Sequence, residues 1–195
     1  MAASGTFGTG VDETVADAGM AATGQRDYAG LRARLIEATR GVADRAELMR
    51  RSVELLWETL GSAGVSWVGF YEISADGSEM TLAAREPKPA CSPIGLHGVC
   101  GRAFTERRAI VVGDVSSLGE GYIACDPLDR SELVLPLFAA ETSVEAGSPI
   151  AWGVLDLDSS EADAFGPADI VGLRDAMLAA GLTVALPEGL SMLAI

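Results

Sequence analysis

Positive charge is in short supply in this 195-residue chain: 14 lysines and arginines stand against 28 aspartates and glutamates, a formal net charge of −14. Nucleic-acid binding relies on clustered cations that displace counterions, so that function class is excluded, and an anionic membrane surface would repel the chain in the same way. Long hydrophobic runs are also missing. None approaches the ~20 residues needed to span a bilayer, and the longest, Leu133–Ala140 and Ile150–Leu157, read as strands. The N-terminal "MAASGTFGTGVDETVADAG" has no basic stretch followed by an apolar one, so it is not a secretory signal. Cysteine is limited to Cys91, Cys100 and Cys125, too few and odd in number for a secreted disulfide scaffold. The expected compartment is the cytoplasm, where a thiol is inert, catalytic or metal-binding. His97 is the only histidine. A zinc site built from it and the three cysteines lacks the usual close pairing of ligands, so neither a metal nor a cofactor is expected. Gly98 and Gly101 suit a tight turn and do not form a phosphate-binding loop.

Apolar residues, by contrast, make up 49% of the chain, which marks a globular protein with length enough for one domain and tails. Residues 1–27 show no lasting period and read as a flexible tail. Tyr28–Thr39 reads as a helix, with Leu31, Leu35 and Ala38 along one face. A second helix runs from about Asp44 to Leu60. Asp44 and Glu47 have the spacing of a capping box, and Met49, Val53, Leu56 and Leu60 form the buried stripe. "VSWVGFYE" is a strand, "ADGS" a turn and "EMTLAA" its hairpin partner. After a proline-containing loop come a short helix in "VCGRAFTERR" and strands in "AIVVGDV", "SELVLPL" and "PIAWGVLDLD". A closing helix lies in "GPADIVGLRDAMLAAGL", with Pro167 suited to its first turn. Residues 28–183 thus form one domain, and 184–195 read as a C-terminal tail. Helices first and last, with hairpin-joined strands between, predict an α+β fold: a central antiparallel sheet with helices packed on one face.

Side chains alternate across a strand. Trp67 and Tyr71 therefore share one face of the first strand, opposite Val68 and Phe70. Glu132 points away from Leu133, Leu135 and Leu137. Asp156 and Asp158 point away from Leu155 and Leu157, their Cα atoms roughly 6.6–7 Å apart. If helices cover the apolar side, the other side carries Trp67, Tyr71, Glu132, Asp156 and Asp158. A merely solvated face would not need the two aromatics, and no lysine or arginine relieves the acids on these strands. An acidic pocket floored by aromatic rings suits a small cation such as an ammonium group.

The stretches "WVGFY", "GVCG", "DV", "YIACD", "RSELVLPL" and "GVLDLDS" occur in the order and approximate spacing of the free methionine-(R)-sulfoxide reductases, which the chain resembles from about Tyr28 to Leu182. The resemblance implies a single GAF domain with a loop-covered pocket on the sheet face away from the helices. It implies reduction of free L-methionine (R)-S-oxide to methionine, recycling by thioredoxin, and a family habit of forming homodimers. The alternative is a non-catalytic GAF sensor of small ligands, because most GAF domains lack this chemistry. Two departures fall in the covering loops. "CSPIGLHGVC" is one residue short of the family pattern and has His97 in place of its arginine, and "SSLGEGY" makes the Cys100–Cys125 interval one residue longer.

In such an enzyme a thiolate attacks the sulfoxide sulfur, methionine leaves, and a second thiol condenses with the resulting sulfenic acid. The resemblance makes Cys125 the nucleophile and Cys91 the main resolving thiol. Cys100 opens a predicted helix, whose dipole would lower its pKa, and it is a second resolver or even the attacker. Crowded carboxylates repel, so at least one should hold a proton near neutrality. Asp158 or Glu132 would then protonate the sulfoxide oxygen, and an ionised Asp156 would pair with the substrate ammonium. Trp67 would seat the S-methyl group, and Tyr71 would line the wall.

Overall fold

The computed structural model describes residues 26–119, 125–142, 149–185 and 192–194. Residues 1–25 of the expected N-terminal tail, residues 120–124 ahead of Cys125, residues 143–148 of the expected polar loop, and residues 186–191 and 195 lie outside the described set.

Two helices open the fold. Helix α1 spans Tyr28–Thr39 and is capped by Asp27, whose carboxylate accepts from the Gly30 amide at 2.8 Å. Helix α2 spans Arg45–Leu60. Asp44 accepts from the Glu47 amide at 3.0 Å, which satisfies one of the amides a helix start leaves without a partner. The stripe Leu48, Met49, Ser52, Val53, Leu56 and Leu60 is buried. Strands β1 (Trp67–Ile73) and β2 (Glu79–Glu86) form the expected hairpin, followed by β3 (Ile94–Gly95). Helix α3 covers Val99–Glu106, and β4 covers Ala109–Val112. The two long strands are β5 (Ser131–Thr142) and β6 (Pro149–Ser159). Helix α4 (Pro167–Ala179) follows, with Pro167 in its first turn as expected. A short strand β7 occupies Met192–Ala194.

These strands form one sheet in the order β3-β2-β1-β6-β5-β4-β7. Every pairing is antiparallel except β4 with β7, which is parallel. Helices α1, α2 and α4 cover one face. Between them and the sheet lies the larger core, with Leu31, Leu56, Phe70, Leu133, Leu135, Leu155 and Leu173 among its members. The opposite face carries a smaller cluster built on Trp67, Tyr71, Val134 and Val154 and capped by Val99, Cys100 and Ala103 of α3.

Three expectations need correction. The helices are not confined to one face, because α3 packs on the pocket side. The domain begins before residue 28: Arg26, expected in the tail, is buried and pairs with Asp169 at 2.8 Å. Within 184–195, expected to be a tail, Met192–Ala194 adds a strand to β4. A three-residue strand at a sheet edge is held by its pairing partner, and so short a stretch carries no period of its own to reveal it.

Candidate active site

Strand register brings the site together. Trp67 on β1 lies opposite Asp158 on β6, and Asp158 lies opposite Glu132 on β5, so the three form a row across the sheet. The next row is Gly69, Asp156 and Val134. Both rows face a cavity of about 300 Å³. Helix α3 brings Cys100 to it, the loop after β2 brings Cys91, and the loop before β5 brings Cys125. All eight residues singled out from the sequence, Trp67, Tyr71, Cys91, Cys100, Cys125, Glu132, Asp156 and Asp158, line this one space, and His97 lies at it too.

The aromatic residues are structural anchors as well as walls. Their rings lie 6.2 Å apart, tilted by 39°. The Trp67 indole Nε1–H donates to the Lys88 carbonyl at 2.9 Å, and the Tyr71 hydroxyl donates to the Cys91 carbonyl at 2.9 Å. Both therefore tie down the loop that carries Cys91. The Trp67 ring folds over Gly69: a Cβ at residue 69 would stand 2.1 Å from the ring carbon Cη2. A glycine inside a strand commonly marks such a close approach. Gly69→Ala is expected to push the indole off the pocket floor, release the Lys88 carbonyl and lower stability by about 1–3 kcal/mol, as overpacking does. Urea unfolding and near-ultraviolet circular dichroism check this.

Electrostatics is set by burial. Asp156 is 7% exposed and is raised to about 7, chiefly by loss of water, with Asp129 adding repulsion and the Cys100 hydrogen bond opposing. Burial together with Asp156 and Glu132 pushes Asp158 well above the usual carboxylate range. The sequence pointed to a protonated acid in this cluster, and these shifts have that direction. The Cys100 thiol donates to Asp156 Oδ2 at 3.3 Å. It is pushed well above the ordinary thiol value by burial first and by Asp156 and Glu132 next. The lowering expected from the start of a helix is therefore overturned, because a thiol without water among carboxylates outweighs one short dipole. Cys125 is exposed, yet its thiol is pushed up to about 12 by the protein packed around its sulfur and by its hydrogen bond with Cys91.

Asp129 also lines the cavity and was not anticipated. It is buried, accepts from the Ser66 hydroxyl at 3.3 Å, and is raised by loss of water. It sits on irregular chain two residues before β5, where no period marks a side chain's direction. Lys88, the only lysine, pairs with Asp126, so an ion pair links the Cys91 loop to the residue after Cys125.

The raised acids have a consequence for stability. An unfolded Asp156 loses its proton near 3.8, whereas the folded one holds it to about 7. Between about pH 4 and pH 7 the native state binds the extra proton, so this group's contribution falls as pH rises through that window. Asp158 and Asp129 act in the same sense. Asp156→Asn is expected to flatten the fall and to be more stable than the parent at pH 7.5, read from urea midpoints at pH 5 and pH 7.5.

The GAF domain family model matches residues 42–185. The chain belongs to the GAF domain family. It is 38% identical over 104 residues to GAF domain-containing protein A of Dictyostelium discoideum, covering 53% of this chain and 60% of that protein. It is 36% identical over 122 residues to the free methionine-R-sulfoxide reductase of Escherichia coli, covering 62% of this chain and 66% of that enzyme. The chain thus spans about two thirds or less of the length of these curated relatives. The free methionine-R-sulfoxide reductase of Neisseria meningitidis, solved in complex with its substrate, superposes with a TM-score of 0.68 at 31% identity, covering 79% of this chain and 86% of that one. This GAF domain therefore has free methionine-R-sulfoxide reductases among both its sequence relatives and its structural neighbours. Among the described residues, no helix is long and apolar enough to cross a membrane.

Proposed function

We propose that this protein reduces free L-methionine (R)-S-oxide to L-methionine in the cytoplasm, with thioredoxin restoring its thiols. The observation that carries the reading is the convergence of Cys91, Cys100 and Cys125 on one cavity lined by four carboxylates, Asp129, Glu132, Asp156 and Asp158. Two thiols brought to one cavity can form a disulfide once their Cβ atoms stand about 3.5–4.5 Å apart, and a nest of acids suits the ammonium group of a free amino acid. The likeness to enzymes of this name supports the same reaction.

In the first step the Cys125 sulfur attacks the sulfoxide sulfur while Asp158 delivers a proton to the oxygen; the substrate S–O bond and the transient S–S bond then break as the oxygen passes to the Cys125 sulfur and methionine leaves. The proton that Cys125 gives up replaces the one Asp158 donated. The balance is one thiol and one sulfoxide converted to one sulfenic acid and one thioether. Cys91 then attacks the sulfenic sulfur, water leaves, and a Cys91–Cys125 disulfide forms. Thioredoxin reduces it by exchange. Cys100, buried and bonded to Asp156, is a reserve resolving thiol. Ionised Asp156 pairs with the substrate ammonium, a group that a methionine inside a peptide lacks, and the Trp67 ring holds the S-methyl group.

The test couples purified, pre-reduced protein to thioredoxin, thioredoxin reductase and NADPH. Addition of free methionine sulfoxide is expected to consume NADPH with the R epimer and to spare the S epimer. No consumption with fully reduced protein would overturn the reading in favour of a ligand-binding GAF sensor.

A further inference from the structure

We propose that Cys100, Glu132 and Asp156 form a binding site for a thiophilic divalent cation of the zinc class. The Cys100 sulfur and one carboxylate oxygen each from Glu132 and Asp156 lie within 4.8 Å of one another, and all three residues are buried. This set differs from the three cysteines and His97 considered from the sequence: it takes one thiol and two acids, joined by helix α3 and strands β5 and β6. The Cys100 Sγ to Asp156 Oδ2 distance is 3.3 Å. Two ligands of a tetrahedral zinc, bound at about 2.3 Å through sulfur and about 2.0–2.2 Å through oxygen, stand roughly 3.5 Å apart, so this edge of the polyhedron is already set.

A second observation points to a cation. Asp156 is only 7% exposed, lines the cavity, and its Oδ1 atom is buried with no hydrogen-bond partner. A buried carboxylate oxygen left this way is costly unless a donor or a positive ion meets it. Four carboxylates line the cavity, and no lysine or arginine is among the described residues lining it; Lys88, outside it, offsets Asp158 and Asp129. Thiolate and carboxylate together suit zinc rather than magnesium or calcium, which take oxygen alone. Three protein ligands leave a fourth position toward the cavity, open to water or a small ligand.

Binding replaces the Cys100 thiol proton by the metal: one sulfur–metal bond forms, one sulfur–hydrogen bond breaks, and the proton leaves to solvent. No oxidant or reductant is involved. The cation needs Cys100 reduced, so oxidation of that sulfur releases it. The ion and a methionine sulfoxide would compete for the same acids; that clause rests on the reductase reading, and the binding test does not.

The probe is cobalt(II) chloride added without oxygen to the pre-reduced full chain. One equivalent is expected to bind, with a thiolate-to-cobalt charge-transfer band in the near ultraviolet, and zinc chloride is expected to displace it. Cys100→Ser should abolish the band, and Glu132→Gln should weaken cobalt binding at least about tenfold. Cys91→Ser and Cys125→Ser should retain both band and affinity. Zinc X-ray absorption on the unmutated protein should give a single sulfur at about 2.3 Å with oxygen completing the shell, which needs no variant to fold. Two sulfur ligands, or a band that survives Cys100→Ser and vanishes with Cys91→Ser, would assign the ion to the Cys91–Cys125 pair and overturn the proposal. Absence of the band in the unmutated protein would overturn it equally.

Discussion

Cys125→Ser is expected to reduce turnover of free methionine (R)-sulfoxide by on the order of 10³-fold or more while leaving the melting temperature unchanged. The reason is chemical. In the proposed reaction an oxygen atom passes to the attacking group, and a serine oxygen cannot take it up as a cysteine sulfur does in forming a sulfenic acid. Cys125 is exposed at the cavity mouth, so the swap leaves no hole in the core. Cys91→Ser should behave differently: the first turnover proceeds, resolution falls to the reserve thiol Cys100, and the longer-lived sulfenic acid is trapped by a dimedone-type reagent and read by mass. Steady-state NADPH oxidation and intact-mass spectrometry after one equivalent of substrate separate these outcomes. Near-normal turnover in Cys125→Ser would move the nucleophile to Cys100, which lines the same cavity and donates to Asp156.

The same residues show how far local pattern reaches. On β1, β5 and β6 the period of two separated Trp67, Tyr71, Glu132, Asp156 and Asp158 from the apolar positions, and the structure puts all five at one cavity. Alternation is a local property, so it could be read. The start of α2 was legible for the same reason, since its cap is a contact three residues long. What failed was set by distant chain. Helix α3 has a normal amphipathic stripe, Val99, Cys100 and Ala103, but nothing in it says which face of the sheet it covers. That choice is what surrounds the Cys100 thiol with acids and pushes its pKa up rather than down. Asp129 could not be read either, because its direction follows from a turn whose amide bond from Asp129 to the Asp126 carbonyl is seen only in three dimensions.

Arg26 is the strongest instance of a long-range effect, and the second large prediction concerns its partner. Asp169 sits in the first turn of α4 and accepts from the Gly166 amide at 2.8 Å. It also accepts from the Arg26 guanidinium at 2.8 Å and from the Tyr28 hydroxyl at 2.7 Å. The side chains of Arg26 and Asp169 are 3% and 13% exposed. The guanidinium is further held by the Ala164 and Ala63 carbonyls at 2.9 and 3.2 Å and lies over the Phe165 ring at 5.0 Å. Asp169→Ala strips a buried cation of its counter-charge and a helix of its cap. Breaking a buried pair on one side costs about 3–5 kcal/mol. At roughly 2–4 °C per kcal/mol for a chain of this size, the melting temperature should fall by about 10 °C, measured by calorimetry. Replacing both partners, Arg26→Met with Asp169→Leu, removes the orphaned charge and is expected to recover most of that loss. The exposed pair Arg34–Glu58, with side chains 47% and 59% exposed, serves as the contrast: Glu58→Ala should change stability by about 1 kcal/mol or less. A fall of similar size in Glu58→Ala and Asp169→Ala would mean that burial does not set the strength of the Arg26 pair. In that case the start of the domain at Arg26 would be a surface contact rather than a structural tie between its first and last helices.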